Sequence, residues 1–268
     1  MSAAPSTADG LNLQLRALKL PGFLAHHEEM AGRAEREGWD FVRFLGELVT
    51  LELEERRSRR IERLRKNSGL PAEKTLATLD LARLPLKVQR QLPRLCDGSL
   101  LEQAENLLAF GMPGRGKSHL VCAVGHELVD RGYRVLFLPA YKLVQRLLVA
   151  KRDLVLEAAM RKLDRFDAVI IDDIGYTQQD RDEMEVLFNF LAERYERRSV
   201  LITSNLVFSQ WDKIFKDAMT TAAAIDRIVH HSVILELTGE SYRSDAAKKR
   251  NNAKGKQRAS TKKEETTA

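Results

Sequence analysis

A chain of 268 residues, 44% apolar with few aromatics, has room for one medium α/β domain and a smaller accessory region. No run approaches the ~18 uninterrupted apolar residues of a membrane span, and residues 1–10 lack the basic patch and apolar run of a secretory leader, so a cytoplasmic protein without membrane contact is expected. The formal charge of +6 comes entirely from the tail after Asp245, and Cys96 and Cys122 show neither metal-ligand nor disulfide spacing.

Residues 1–70 read as a small all-helical domain. Leu11, Leu15 and Leu18 keep helical spacing until Pro21-Gly22 breaks it. A second helix follows, and Trp39-Asp40 opens a third with Phe41, Phe44, Leu45 and Leu48 on one face. It runs on to Lys66, where Asn67-Ser68-Gly69 and Pro71 stop it. Arg56, Arg57, Arg59, Arg60, Arg63, Arg65 and Lys66 crowd its end, partly offset by Glu52, Glu54, Glu55 and Glu62. Taken alone, that pattern is a solvated helix laced by i,i+4 pairs. Residues 71–104 carry Pro71, Pro85 and Pro93 among short apolar pieces and read as a connector.

From 105 to 245 the pattern alternates. Apolar strands are expected at 106–110, 134–138, 168–171, 200–203 and 233–237, separated by helices at 117–130, 141–150, 153–163 and 181–197. Strands of that kind predict a three-layer α/β domain with a parallel sheet covered on both faces. Residues 246–268 are nearly free of apolar side chains and are expected to be disordered. That basic tail either rests on nucleic acid or only keeps the chain soluble.

Gly111-Met112-Pro113-Gly114-Arg115-Gly116-Lys117-Ser118 fits the phosphate-loop pattern G-x-x-x-x-G-K-[ST], between an apolar strand and a helix. Glycines let the backbone curl so that successive N–H groups surround phosphate oxygens, and the helix start adds its positive end. Lys117 is the expected contact to the β- and γ-phosphates of ATP, and the Ser118 hydroxyl a ligand of Mg2+. The strand Ala168-Val169-Ile170-Ile171 ends in Asp172 and Asp173. Asp172 is assigned to the metal and Asp173 to the attacking water. A third strand ends in Ser204-Asn205, which is ordinary turn chemistry unless it lies beside the acidic strand.

These motifs, together with Ala-Ile-Asp-Arg-Ile-Val-His-His at 224–231 and Gly-Glu-Ser-Tyr-Arg at 239–243, give a chain that resembles the AAA+ superfamily of P-loop NTPases. Within it, the chain is similar to the branch of IstB-like transposition helpers and DnaC-like helicase loaders. The resemblance implies that Asn205 is the sensor-1 residue, Arg227 an arginine finger reaching a neighbour's ATP, and Arg243 the sensor-2 arginine. An arginine supplied in trans implies a ring or spiral of subunits. Many members carry Glu where Asp173 stands, so slow turnover is expected, and a full helical lid after Arg243 is not.

The same resemblance turns the arginine-rich helix end into an expected contact to double-stranded DNA without sequence preference, through Arg56, Arg59, Arg60 and Arg63. The function it implies is an ATPase that assists a transposase by acting on target DNA. The alternative is a helicase loader on single-stranded DNA. A DNA-binding module with a decayed ATPase is opposed by the intact Lys117, Ser118, Asp172, Asp173 and Arg227. His230-His231, like His26-His27, is assigned to packing or capping, because adjacent residues on a helix face different ways. Trp39 and Trp211 are assigned as anchors.

Overall fold

Three helices begin the chain: α1 (Thr7–Ala17), α2 (Pro21–Glu37) and α3 (Phe41–Ser68). The computed structural model describes residues 7–175, 181–211, 218–238 and 241–242, and divides into two compact units between Arg63 and Leu64, within α3. In the first unit, Pro21-Gly22 starts a helix instead of breaking one. Proline suits the first helical position because its missing N–H would have no partner there. Gly22 then lies so close to α3 that an added Cβ would sit 2.7 Å from the Glu52 Cα.

Glu52, 4% exposed, accepts the Gly22 amide (2.7 Å) and the Phe23 amide (3.4 Å), and pairs with Arg56 Nε at 2.6 Å. A carboxylate from one helix thus caps the positive start of another. Burial pushes the Glu52 carboxyl up, but hydrogen bonds from Arg56, Gly22 and Phe23 outweigh it and hold the group below the usual range. The expected apolar face of α3 is only partly used: Leu48 is buried, whereas Phe41 is 92% and Leu45 55% exposed.

The second unit is built on five parallel strands, β1 (Asn106–Phe110), β2 (Val135–Pro139), β3 (Ala168–Ile174), β4 (Ser199–Ser204) and β5 (Ser232–Glu236). Their spatial order is β2-β3-β4-β1-β5. Helices α6 (Lys117–Asp130), α7 (Ala140–Arg152), α8 (Leu156–Leu163), α9 (Arg181–Arg194) and α10 (Ala218–Val229) cover the sheet. Because successive strand residues point to opposite faces, Leu108, Phe110, Val169 and Ile171 enter a core under α7, α9 and α10. Leu107, Ala109, Ala168 and Ile170 enter another under α6. This is the expected three-layer fold.

Residues 71–104 correct the expectation of a connector. Two 3-10 turns, α4 (Leu86–Asp97) and α5 (Ser99–Glu102) fold there, and Leu79, Leu84, Val88, Leu92, Leu95 and Leu100 are buried in the core under α6. Pro85 precedes α4 and Pro93 lies inside it. Trp211 is fully buried against Phe110 and donates to Leu206 O at 3.1 Å, the anchor expected of it. Among the described residues, no helix is long and apolar enough to cross a membrane. Arg243 and the tail at 246–268 lie outside the described residues.

Candidate functional site

The phosphate loop leaves the end of β1 and enters α6 at Lys117. Gly111, Gly114 and Gly116 all have positive φ (151°, 80° and 85°), the conformations that bend the backbone inward. A Cβ on Gly111 would fall 2.5 Å from Leu237 O, because the chain after β5 closes onto the loop through Leu237 N to Phe110 O at 2.8 Å. Further along, Tyr242 N donates to Gly114 O at 2.9 Å, and a Cβ on Gly116 would sit 3.3 Å from the Tyr242 ring. The Tyr242 hydroxyl reaches Asp80 O at 3.1 Å, while the Arg83 guanidinium lies 4.0 Å above its ring. Met112 is exposed and Arg115 reaches back toward Leu237 O.

Lys117 is 5% exposed. Its Nζ donates to Gly111 O (2.7 Å), Met112 O (3.1 Å) and Asn205 Oδ1 (2.5 Å). The first two acceptors are carbonyls of the loop, so the ammonium stays where the loop wraps an anion. Asn205 turns its other end to Asp173, with Nδ2 3.3 Å from Oδ1. One amide therefore bridges the loop lysine and the second acid of β3.

Two adjacent strand residues ordinarily point to opposite faces. Here the β3–β4 register slips: Ile171 pairs Ile202, but Ile174 pairs Ser204. The extra residue is a bulge, and Asp173 takes φ +62° inside it. Both acids then reach β4 from one region. The Thr203 hydroxyl donates to Asp172 Oδ1 at 2.6 Å and accepts the Asp173 amide at 2.8 Å. Thr203 is fully buried. Left-handed backbone at a non-glycine costs on the order of 1–2 kcal/mol, and such strain concentrates where a side chain must be aimed.

Lys117, Asp172, Asp173 and Asn205 thus meet, as does Thr203, which sequence reasoning passed over. Ser118 follows Lys117 in the first turn of α6. Arg227 lies on α10, donates to Ala223 O at 3.3 Å and sits 5.1 Å over the Phe188 ring, outside this cluster. In the first unit, Arg56, Arg59, Arg60 and Arg63 line a concavity of about 610 Å3 together with Arg16, Lys19, Leu15, Leu20, Pro21 and Leu24. Arg16 and Lys19, on and after α1, were not among the sequence candidates. Arg59 pairs with Glu55 and Arg56 with Glu52, as i,i+4 spacing foretold.

The fit of a magnesium ion rests on chemistry: Ser118 and Asp172 offer a hydroxyl and a carboxylate, the hard oxygen donors that ion takes.

The chain is similar to known proteins over most of its length. Residues 13–252 match the family model described as IstB-like ATP binding protein. A putative insertion sequence ATP-binding protein of Sinorhizobium fredii is 44% identical over 88% of this chain and 80% of its own length. The insertion sequence IS21 putative ATP-binding protein of Pseudomonas aeruginosa is 36% identical over 87% of this chain and 88% of its own. Among solved structures, AMPPCP-bound DnaA from Aquifex aeolicus superposes with a TM-score of 0.53 at 18% identity, covering 65% of this chain and about half (52%) of that one. DnaI gives 0.53 at 19% identity over 64% of this chain and 96% of its own, and both likenesses are of fold alone. With its P-loop AAA+ fold, its ATPase motifs and a match over nearly its whole length, the chain belongs to the family of IstB-like ATP binding proteins.

Proposed function

We propose that this transposition-associated ATPase hydrolyses ATP at the Lys117–Asn205–Asp173 cluster and uses it to act on target DNA and stimulate a partner transposase. The observation that carries the reading is the Asn205 amide joining Lys117 to Asp173, at 2.5 and 3.3 Å. A lysine for the γ-phosphate and a carboxylate for the water are thereby held at one position.

In this reading the backbone N–H groups of 111–118 take the triphosphate, and Lys117 exchanges its carbonyl partners for phosphate oxygens. Ser118 and Asp172 would hold Mg2+, which would supply charge neutralisation to the triphosphate. Asp173 orients the attacking water and draws on its proton, with Asn205 fixing the water's other side. Thr203 sets Asp172 and the Asp173 backbone. Arg227, outside the cluster of its own chain, completes the ATP site of a neighbouring copy, and Arg243 acts on the phosphates of its own. Completion in trans couples nucleotide to a ring or spiral assembly. The chain works in the cytoplasm.

DNA binding belongs to the basic concavity of the first unit. Six cations, Arg16, Lys19, Arg56, Arg59, Arg60 and Arg63, surround a floor of Leu15, Leu20 and Leu24. A cluster of positive charge of that kind suits the phosphates of duplex DNA.

The test is ATP turnover by the purified protein, alone and with duplex or single-stranded DNA, with Lys117→Ala as the blank. Stimulation chiefly by duplex supports the reading. Stimulation chiefly by single strands replaces it with a helicase loader, and no turnover above the blank removes the assigned chemistry.

A further inference from the structure

His230 and His231 do not lie within a helix, contrary to the sequence expectation. Helix α10 ends at Val229, and β5 starts at Ser232. Freed from helical spacing, the two imidazoles converge, with ring centroids 4.4 Å apart and planes at 76°. A carboxylate joins them from the turn between α9 and β4. Glu196 Oε1 lies 3.5 Å from His231 Nε2 and 3.9 Å from His230 Nδ1. One donor atom from each of the three residues falls within 4.8 Å of the others.

Ligands of a tetrahedral zinc ion at ~2.0–2.1 Å stand about 3.3 Å apart, so side-chain shifts of about an ångström or less close the set. The backbone beneath is fixed. Asn106 N donates to His231 O at 2.7 Å, and its side-chain amide to Ile228 O at 3.1 Å. His230 N still donates to Asp226 O at 3.0 Å, while Glu196 takes a left-handed φ of +55°. Neighbouring Arg197 and Arg198 point to Asp164 and Asp167. All three side chains are about half exposed (53%, 56% and 47% for Glu196, His230 and His231), which leaves a water a place in the fourth position.

We propose that Glu196, His230 and His231 bind one divalent transition-metal ion of the Zn2+ or Co2+ type. Two imidazoles and a carboxylate suit that class, whereas Mg2+ takes oxygen donors. The site is separate from the nucleotide loop. Glu196 precedes β4 and His231 precedes β5, at the starts of the strands, while the loop follows the far end of β1. Five strand residues, about 17 Å, lie between the two levels. A bound ion ties the turn after α9 to the end of the helix that carries Arg227. The Tyr195 hydroxyl, 3.0 Å from His230 Nδ1, competes with the ion for that nitrogen.

The experiment titrates the untagged full-length protein with Co2+ and follows the visible ligand-field band of a tetrahedral site, then competes with Zn2+ and with Mg2+. One ion per chain is expected, displaced by Zn2+ and not by Mg2+. Affinity should fall at least about tenfold in Glu196→Gln and further in His231→Ala, and hold or rise in Tyr195→Phe. X-ray absorption of the wild-type cobalt form should count two imidazoles, a reading that needs no variant to fold. The proposal is overturned by unsaturable binding, by binding that survives both ligand changes in folded protein, or by any other imidazole count.

Discussion

The two units solve the problem of holding charged groups by different means. In the ATPase unit, two apolar cores clamp a sheet in which β1 and β4 are wholly buried, and the reactive groups sit on backbone that the sheet dictates. Asp173 can stay left-handed because pairing on either side of the bulge leaves it no alternative. The N-terminal unit buries few apolar side chains, Leu15, Met30 and Leu48 among them. Its α2–α3 contact relies on one glycine and one carboxylate. The contrast teaches where damage should register: in the first case as lost chemistry in an intact fold, in the second as lost fold.

The largest expected effect is on chemistry. Thr203→Val keeps the volume of a buried strand residue but removes the hydroxyl that holds Asp172 and the Asp173 amide. Misplacing a catalytic carboxylate by about an ångström costs on the order of 100-fold in rate. Steady-state ATP turnover should drop by that order, while the lost acceptor of the Asp173 amide lowers stability by only about 1–3 kcal/mol and leaves the fold intact. A variant that turns over normally would show that β4 does not position the acids.

Gly22→Ala makes the opposite test. Its Cβ would meet the Glu52 backbone at 2.7 Å, and overpacking of that kind costs about 1–3 kcal/mol. Hydrogen exchange should report faster opening of α2 amides, with the strands of the ATPase unit unchanged. Equal loosening of both units would mean that they do not unfold independently.

Replacing Arg59, Arg60 and Arg63 together with alanine reads the basic concavity directly. Each lost phosphate contact flattens the dependence of log affinity on log salt by ~0.9, so the slope should shrink by up to about 2.7 for three contacts. Duplex titrations across a salt series measure it, and an unchanged slope moves the DNA site elsewhere. Arg56 is left in place because it is bonded to Glu52 and to Lys19 O.

What was legible follows from how local each signal is. The loop at 111–118 needed only its own glycines and its flanking strand and helix, and α6 runs over the expected 117–130. The bulge at Asp172-Asp173 carried no residue flag, since an aspartate in left-handed backbone looks like any other. Thr203 gained its role from pairing with a strand about 30 positions earlier, and Tyr242 from a closure onto Gly114 across the whole domain. Leu79, Leu84 and Val88 were hidden among prolines for the same reason: their partners lie on α6 and the sheet, and a short apolar piece does not announce them. Phe41 and Leu45 erred the other way, as periodicity offers a face without saying what covers it. Arg227 had no local signal and was named only through the family.

The smallest and most specific effect concerns Glu52. Its folded carboxyl titrates below the usual range, because hydrogen bonds from Arg56, Gly22 and Phe23 outweigh the burial that pushes it up. Between the folded and unfolded values the unfolded chain binds more protons, so stability there rises with pH. The contribution is complete above the ordinary glutamate range and fades as pH falls through the folded value. Glu52→Gln keeps an acceptor for the Gly22 amide but loses the charge that faces the start of α2, at a cost of about 1–2 kcal/mol near neutrality. Protection of the Gly22 and Phe23 amides, followed from neutral to acid pH in the full chain, should fall in the wild type and stay flat in the variant. Parallel acid curves would assign the N-terminal unit's sensitivity to carboxylates other than Glu52.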